Sequence, residues 1–112
     1  MFESIKNNSD FLKAYRHGKS YANRYLVMYV RKNDLDRNRY GITVSKKVGN
    51  SVVRHHLARL VRESFRLNRD TLEEGLDIIV VARAAAKDSD YKTIERAFMH
   101  LCGLHNIKKE SK

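Results

Sequence analysis

The chain has 112 residues, 42% of them hydrophobic, and carries 23 Lys and Arg against 13 Asp and Glu for a formal charge of +10. That length fits one domain of the usual ~100–200 residues, and the excess of base calls for a polyanionic partner, nucleic acid or an acidic membrane surface. No run approaches the ~18 consecutive apolar residues of a spanning helix, the start MFESIKNNSDFLKAY lacks the apolar core of a signal peptide, and the single Cys102 forms no internal disulfide, so the composition speaks against a membrane-spanning or secreted protein and fits a reducing cytoplasm.

Without proline, internal repeat or Gly/Ser linker, residues 1–112 read as a single domain, with 1–7 and 107–112 expected to be flexible. Asn8 or Ser9 caps a short helix running to about His17 and closed by Gly18. Phe11 and Tyr15, four apart, share one of its faces. Tyr25–Val30 is a strand rich in β-formers, its alternation separating Tyr25, Val27 and Tyr29 from Leu26, Met28 and Val30. The polar stretch 32–38 reads as a hairpin loop into a second strand over Arg39–Ser45, where Tyr40, Ile42 and Val44 oppose Arg39, Gly41, Thr43 and Ser45.

A long basic helix follows, and Gly75 ends its trailing segment. Asp77–Ala82 is a continuous apolar run, the pattern of a strand covered on both faces. The last helix starts at about Asp90, capped by Ser89, with Tyr91, Ile94, Phe98, Leu101 and Cys102 along one side. Cys102 is there a small core filler. The order is α-β-β-α-β-α, or one strand more if the first strand is broken in two. Strand, long helix and strand in sequence suggest a parallel pair joined by a crossover.

The segment Lys46–Arg69, KKVGNSVVRHHLARLVRESFRLNR, holds seven Lys or Arg (Lys46, Lys47, Arg54, Arg59, Arg62, Arg66, Arg69) against one acid, Glu63. At 3.6 residues per turn Val53, Leu57, Leu60, Val61 and Ser64 fall on one side, with Leu67 at the margin. Arg59, Arg62, Arg66 and Arg69 fall on the other, with His55 above them. A solvated helix face ordinarily mixes signs at i, i+4. A row of guanidinium forks fits phosphate oxygens instead. On the sheet, Tyr25, Tyr29, Thr43 and Ser45 would face Phe11 and Tyr15, an aromatic surface suited to stacking single-stranded bases. The plainer alternative is that Phe11 and Tyr15 only fasten the first helix to the sheet.

KKVGNSVVRHHLARLVRESFR resembles the signature of the bacterial ribonuclease P protein component, K-K-x-G-x-A-V-x-R-N-R-x-K-R followed by a basic helix. FLKAYRHGKSYANRYLVMY resembles that family's first helix and strand, RYGITVSKKVGNSV the strand entering the motif, and LDIIVVAR the strand after it. The resemblance implies an α+β sandwich of order α-β-β-(β)-α-β-α, ribosomal protein S5 domain 2-like, with a mixed sheet packed on helices and a left-handed β-α-β crossover, against the right-handed rule that holds in ~98% of such units.

The implied function is that of the RNA-binding subunit of an RNA-based endoribonuclease that removes the 5′ leader from precursor tRNA. Its partners would be the catalytic RNA and the single-stranded leader, with no membrane and no further protein required. The catalytic RNA would hold the Mg2+, and the protein no cofactor. Carried over by position, Phe11, Tyr15, Tyr29, Thr43 and Ser45 would bind the leader. Lys46, Lys47, Arg54, His55, Arg59 and Arg62, with the added Arg66 and Arg69, would bind the RNA subunit. The chain departs from the signature at His55 and His56, where the family has Asn and Arg, at Ala58 in place of Lys, and at Ser51 in place of Ala.

Nothing in the chain reads as a freestanding catalyst. Asp34 and Asp36 share a loop with no third ligand in view. Adjacent His55 and His56 diverge by ~100° on a helix, and His100 and His105 are poorly spaced for a shared metal. Phosphate-loop, GxSxG and HExxH motifs are absent. The alternative reading is a non-catalytic ribosomal or ribosome-assembly RNA-binding protein of related fold. A DNA-groove reader is disfavoured, since the helix shows no dimer seam.

Overall fold

A computed structural model describes residues 2–5 and 8–109. Its elements are β1 (Phe2–Ser4), α1 (Asn8–His17), β2 (Lys19–Ala22), β3 (Leu26–Lys32), β4 (Asn38–Val44), α2 (Ser51–Asn68), β5 (Leu76–Ala82) and α3 (Tyr91–Leu104), with 3-10 turns at Arg69–Thr71 and Ala84–Ala86. One mixed five-stranded sheet runs β1-β4-β5-β3-β2.

The apolar run of β5 sets this order. Ile78, Ile79 and Val80 are all fully buried, which requires cover on both sheet faces and a strand on each side. β5 is therefore central, parallel to β4 (Ile42 opposite Val80) and antiparallel to β3 (Met28 opposite Val80). The 32–38 segment is accordingly not a hairpin loop: it passes from β3 to β4 with β5 inserted between them. The parallel pair β4–β5 joined through α2 is as the sequence predicts. The early strand is two strands: β2 and β3 form an antiparallel pair, with Lys19 opposite Val30. β1, which has no periodic signal in the sequence, pairs in parallel with β4.

One face of the sheet carries the main core. There Leu26, Met28, Val30, Ile78 and Val80 meet Leu57, Val61 and Phe65 of α2 and Ile94, Phe98 and Leu101 of α3. Phe65 lies between Tyr40 and Phe98, at centroid distances of 4.9 and 4.8 Å. It joins the buried stripe of α2 beyond the residues that helical spacing picks out, whereas Leu67, placed at the margin, is 54% exposed. Cys102 is buried as expected, and burial pushes its thiol up to about 12. The cap of α3 is Asp90 rather than Ser89, accepting from the Thr93 N–H at 2.9 Å.

The other sheet face carries α1 and a smaller cluster of Ile5, Ala14 and Ile79. The expected flexible ends are tied in where they are described. Ile5 donates its N–H to Tyr40 O at 2.8 Å, and the 107–109 segment bonds back to Thr71 and Glu73 at 2.7 Å each.

β5 begins with a fully buried acid, Asp77. Arg39 on β4 clamps it with Nε to Oδ1 at 2.9 Å and Nη2 to Oδ2 at 2.7 Å, while Arg39 Nη1 reaches Asp10 of α1 at 3.0 Å. Asn33 donates a further bond to Asp77 at 3.0 Å. These bonds, those Arg39 donates to Asp77 foremost, raise the Arg39 pKa further above its already high ordinary value. The network ties α1, β4 and β5 together and fixes the height of α1 on the sheet.

Candidate nucleic-acid interface

α1 lies on the sheet with Phe11 and Tyr15 inward, both half-buried. Their centroids are 5.5 Å apart. Tyr15 meets Tyr29 of β3 edge-on at 4.7 Å, and the Tyr15 and Thr43 hydroxyls are 3.4 Å apart. Ile79, Ala14 and Val81 close the bottom. The rings fasten α1 to the sheet, and each keeps some exposure. Tyr25 is not in this group. It precedes β3, its N–H donates to Asn23 Oδ1 at 3.1 Å, and its ring packs against the main core on the other face. The turn at Asn23 breaks the alternation that put Tyr25 beside Tyr29. Ser45 lies one residue beyond β4 and is exposed, its carbonyl accepting from the Val48 N–H at 3.1 Å.

Gly41 makes the close approach possible. A Cβ there would clash with the Phe11 ring, 2.8 Å from Cζ and 3.3 Å from Cδ2. Gly41→Val is therefore expected to lift α1 from the sheet, read as faster amide hydrogen exchange along α1. Unchanged exchange would show that the seating of α1 does not depend on the missing side chain.

α2 lies on the opposite face. Asn50 caps it, its Oδ1 accepting from the Val53 N–H at 3.0 Å. Leu57, Leu60, Val61, Ser64 and Phe65 are buried, while His55, His56, Arg59, Arg62 and Arg66 lie toward solvent. Arg69 is exposed on the 3-10 turn that follows, and Lys46 and Lys47 on the turn between β4 and α2. The row is not uniformly free. Glu63 takes both ends of the Arg66 fork, at 2.9 and 2.8 Å, and this pairing, with Arg59 and Arg62 adding to it, lowers the Glu63 pKa. Arg59 and Arg62 have no ion pair among the described residues. Arg54 is half-buried, and its Nε is a buried donor without a hydrogen-bond partner among the described residues.

The two faces meet at the edge of β4. Among the described residues, β1 pairs with Asn38–Tyr40 of that edge. Beyond it a recess of about 240 Å³ is lined by Phe11 and Ile5 from the α1 side, Gly41 and Ile42 from β4, and Arg62 from α2. The aromatic cluster and the arginine row thus meet at that recess, and among the described residues no helix is long and apolar enough to cross a membrane.

A protein-family profile described as Ribonuclease P matches residues 2–105. This chain belongs to the ribonuclease P protein family. The ribonuclease P protein component of Lachnoclostridium phytofermentans is 58% identical over 111 residues, covering 99% of this chain and 96% of that one. That of Clostridioides difficile is 46% identical over 88% of each. Among solved structures, the Staphylococcus aureus RNase P protein superposes with a TM-score of 0.87 at 38% identity, over 95% of this chain and 97% of that chain. The Thermotoga maritima protein gives 0.81 at 36%, over 88% and 94%.

The fold is therefore the α+β fold of this family. The structure brings Phe11, Tyr15, Tyr29 and Thr43 into one cleft, and Arg59, Arg62, Arg66 and His55 onto one solvent-facing side of α2. Sequence reasoning missed Gly41 as the seat of Phe11, the short β1 that pairs with the β4 edge, and the Arg39–Asp10–Asp77 clamp. Only the last had a signal: a lone acid heading an apolar strand requires a buried partner.

Proposed function

We propose that this chain is the RNA-binding protein subunit of ribonuclease P: with a catalytic RNA it removes the 5′ leader of precursor tRNA, in the cytoplasm. The observation that carries the reading is the meeting of the Phe11–Tyr15–Tyr29 cluster with the arginine face of α2 at the β4 edge. The partly exposed rings of Phe11, Tyr15 and Tyr29 would offer surface to bases. The helix offers guanidinium forks to the phosphates of a structured RNA. A leader in the cleft and the RNA subunit on α2 would thereby be held by one small protein.

Hydrolysis would be the work of the RNA and of the Mg2+ it holds. The protein's part is to position the substrate and offset phosphate repulsion. Reconstitution tests this: the protein should leave precursor tRNA intact by itself and raise its cleavage by the cognate catalytic RNA in Mg2+, no other protein being added. Cleavage by the protein without RNA, or no gain over the RNA alone, would reject the reading.

The arginine face is tested separately. Arg59→Ala and Arg62→Ala should each weaken binding to the RNA subunit and reduce the slope of log affinity against log salt by ~0.7–0.9 for each phosphate the variant no longer holds. Arg66→Ala should act less, because Glu63 already holds its fork. A slope indifferent to Arg59 and Arg62 would mean that the row is only solvated.

A further inference from the structure

A second basic site lies away from both the cleft and α2. The connection Asn23–Tyr25 between β2 and β3, with Thr93, Arg96 and His100 of α3, encloses a recess of about 310 Å³. Arg24, Arg96 and His100 are exposed. No Asp or Glu lines the recess, and neither arginine has an ion pair among the described residues. Asp90, three residues before Thr93, is occupied as the cap of α3, and hydrogen bonds from the Thr93 side chain and backbone hold its pKa down.

The floor of the recess is built rather than incidental. Asn23 Oδ1 accepts from the backbone N–H of Tyr25 at 3.1 Å and of Leu26 at 3.0 Å. That fixes which end of the amide faces α3, where Nδ2 donates to Ala97 O at 2.9 Å and lies 3.2 Å from His100 Nδ1. Arg83 locks the same turn: its Nη1 donates to Asn23 O at 2.7 Å and its backbone N–H to Tyr25 O at 2.8 Å. Since Nδ1 of His100 faces a donor, the neutral ring carries its proton on Nε2, and His100 offers an N–H without needing a charge. The Arg24 guanidinium is 5.8 Å from the Tyr25 ring centroid, above its face. Arg24, Arg83 and Arg96 therefore gather around one rigid turn with no acid among them, a self-repelling group that an external anion would neutralise.

We propose that this recess is a second RNA-phosphate site, in which Arg24 and Arg96 clasp a phosphodiester and His100 Nε2 donates to the same group. The proposal rests on the reading of the chain as an RNA-binding subunit. α2 packs over β4, and α3 over β3 and β2, so the recess and the Arg59–Arg62 row sit on opposite flanks of one helix layer. The molecule's longest extent is 36 Å, so one folded RNA can reach both. A membrane surface is the poorer fit, because none of the exposed large apolar residues, Leu12, Leu35, Val52, Leu67 and Leu104, lines the recess.

The test compares wild type, Arg24→Ala/Arg96→Ala, Arg24→Lys/Arg96→Lys and Arg59→Ala in two arms: binding of the protein to cognate catalytic RNA, and binding of precursor tRNA to the assembled holoenzyme. The double alanine variant should lose about fivefold in affinity for each phosphate released near about 0.15 M salt, with the salt slope reduced by ~0.7–0.9 per phosphate. The lysine variant should keep the slope. Loss in the first arm makes the catalytic RNA the source of the phosphate, and loss in the second alone makes it the tRNA. If both arms are unchanged while Arg59→Ala still weakens binding, the second site is overturned and the functional reading stands. A loss without any change of slope also overturns it, since that marks a structural effect. If wild type binds neither RNA, both proposals fall.

Discussion

Precursor tRNA is expected to lose about 1–3 kcal/mol of affinity for each ring removed from the cleft under α1, with mature tRNA little affected. Phe11→Ala and Tyr29→Ala are the informative substitutions. Phe11 rests on Gly41, and Phe11 and Tyr29 meet Tyr15 at 5.5 and 4.7 Å, so the two changes each remove a different neighbour of Tyr15. Both rings also help hold α1, and truncating them will reduce stability as well. Phe11→Leu separates the effects: it keeps apolar bulk against the sheet and removes the π-face. Binding of precursor and mature tRNA to the assembled holoenzyme should be measured well below each variant's unfolding temperature. Equal losses for the two RNAs, or full precursor affinity in Phe11→Leu and Phe11→Ala alike, would make the rings only the fastening of α1. The two substitutions should not simply add, because each ring contacts Tyr15 and its removal lets Tyr15 move.

Arg39→Ala is expected to cost about 3–5 kcal/mol of folding stability, a large share of the ~5–15 kcal/mol typical of a domain. The cost arises in what is left behind. Asp77 is fully buried, and without the fork its remaining partners are Asn33 at 3.0 Å and Arg31 at 3.9 Å. Arg39→Lys keeps a charge but not the two-pronged geometry and should fall between. Replacing both partners together, Arg39→Met with Asp77→Leu, should recover much of the loss, because an uncompensated buried carboxylate is worse than none. Urea unfolding of the four proteins measures this. A loss below about 1 kcal/mol in Arg39→Ala would mean that Asn33 and Arg31 suffice to hold the carboxylate. Because Arg39 also holds Asp10 of α1 at 3.0 Å, the variant should loosen the cleft and reduce precursor affinity even at temperatures where it is folded.

How much of this was legible in the sequence depends on the range of the forces involved. The amphipathic period of α2, the stripe of α3, the apolar run of β5 and the alternation of β4 are local patterns. Each follows from what a helix or strand must bury, and each marks its element and its inward face. Phe11 with Tyr15, and Arg59 with Arg62, fall on common faces by helical spacing alone. The signature around Lys46–Arg69 adds what spacing does not supply, membership of the ribonuclease P protein family.

What only the tertiary structure decided are matters of pairing between distant segments. β5 inserts between β3 and β4 because its two buried faces and two ladder edges must all be satisfied, and no local signal in 32–38 announces that. Tyr25 turns to the main core because Asn23 Oδ1 takes two backbone N–H groups and rotates the chain ahead of β3. β1 has too few residues to carry a period, and it exists because β4 offers it hydrogen bonds. Asp77 and Arg39 meet through the register of two strands joined by an 18-residue helix. The sequence by itself determined which residues face a core and which face solvent. The tertiary structure alone decided that the aromatic cluster and the arginine row meet at the β4 edge, because that depends on how distant strands pair, a property of the sheet and not of any one segment.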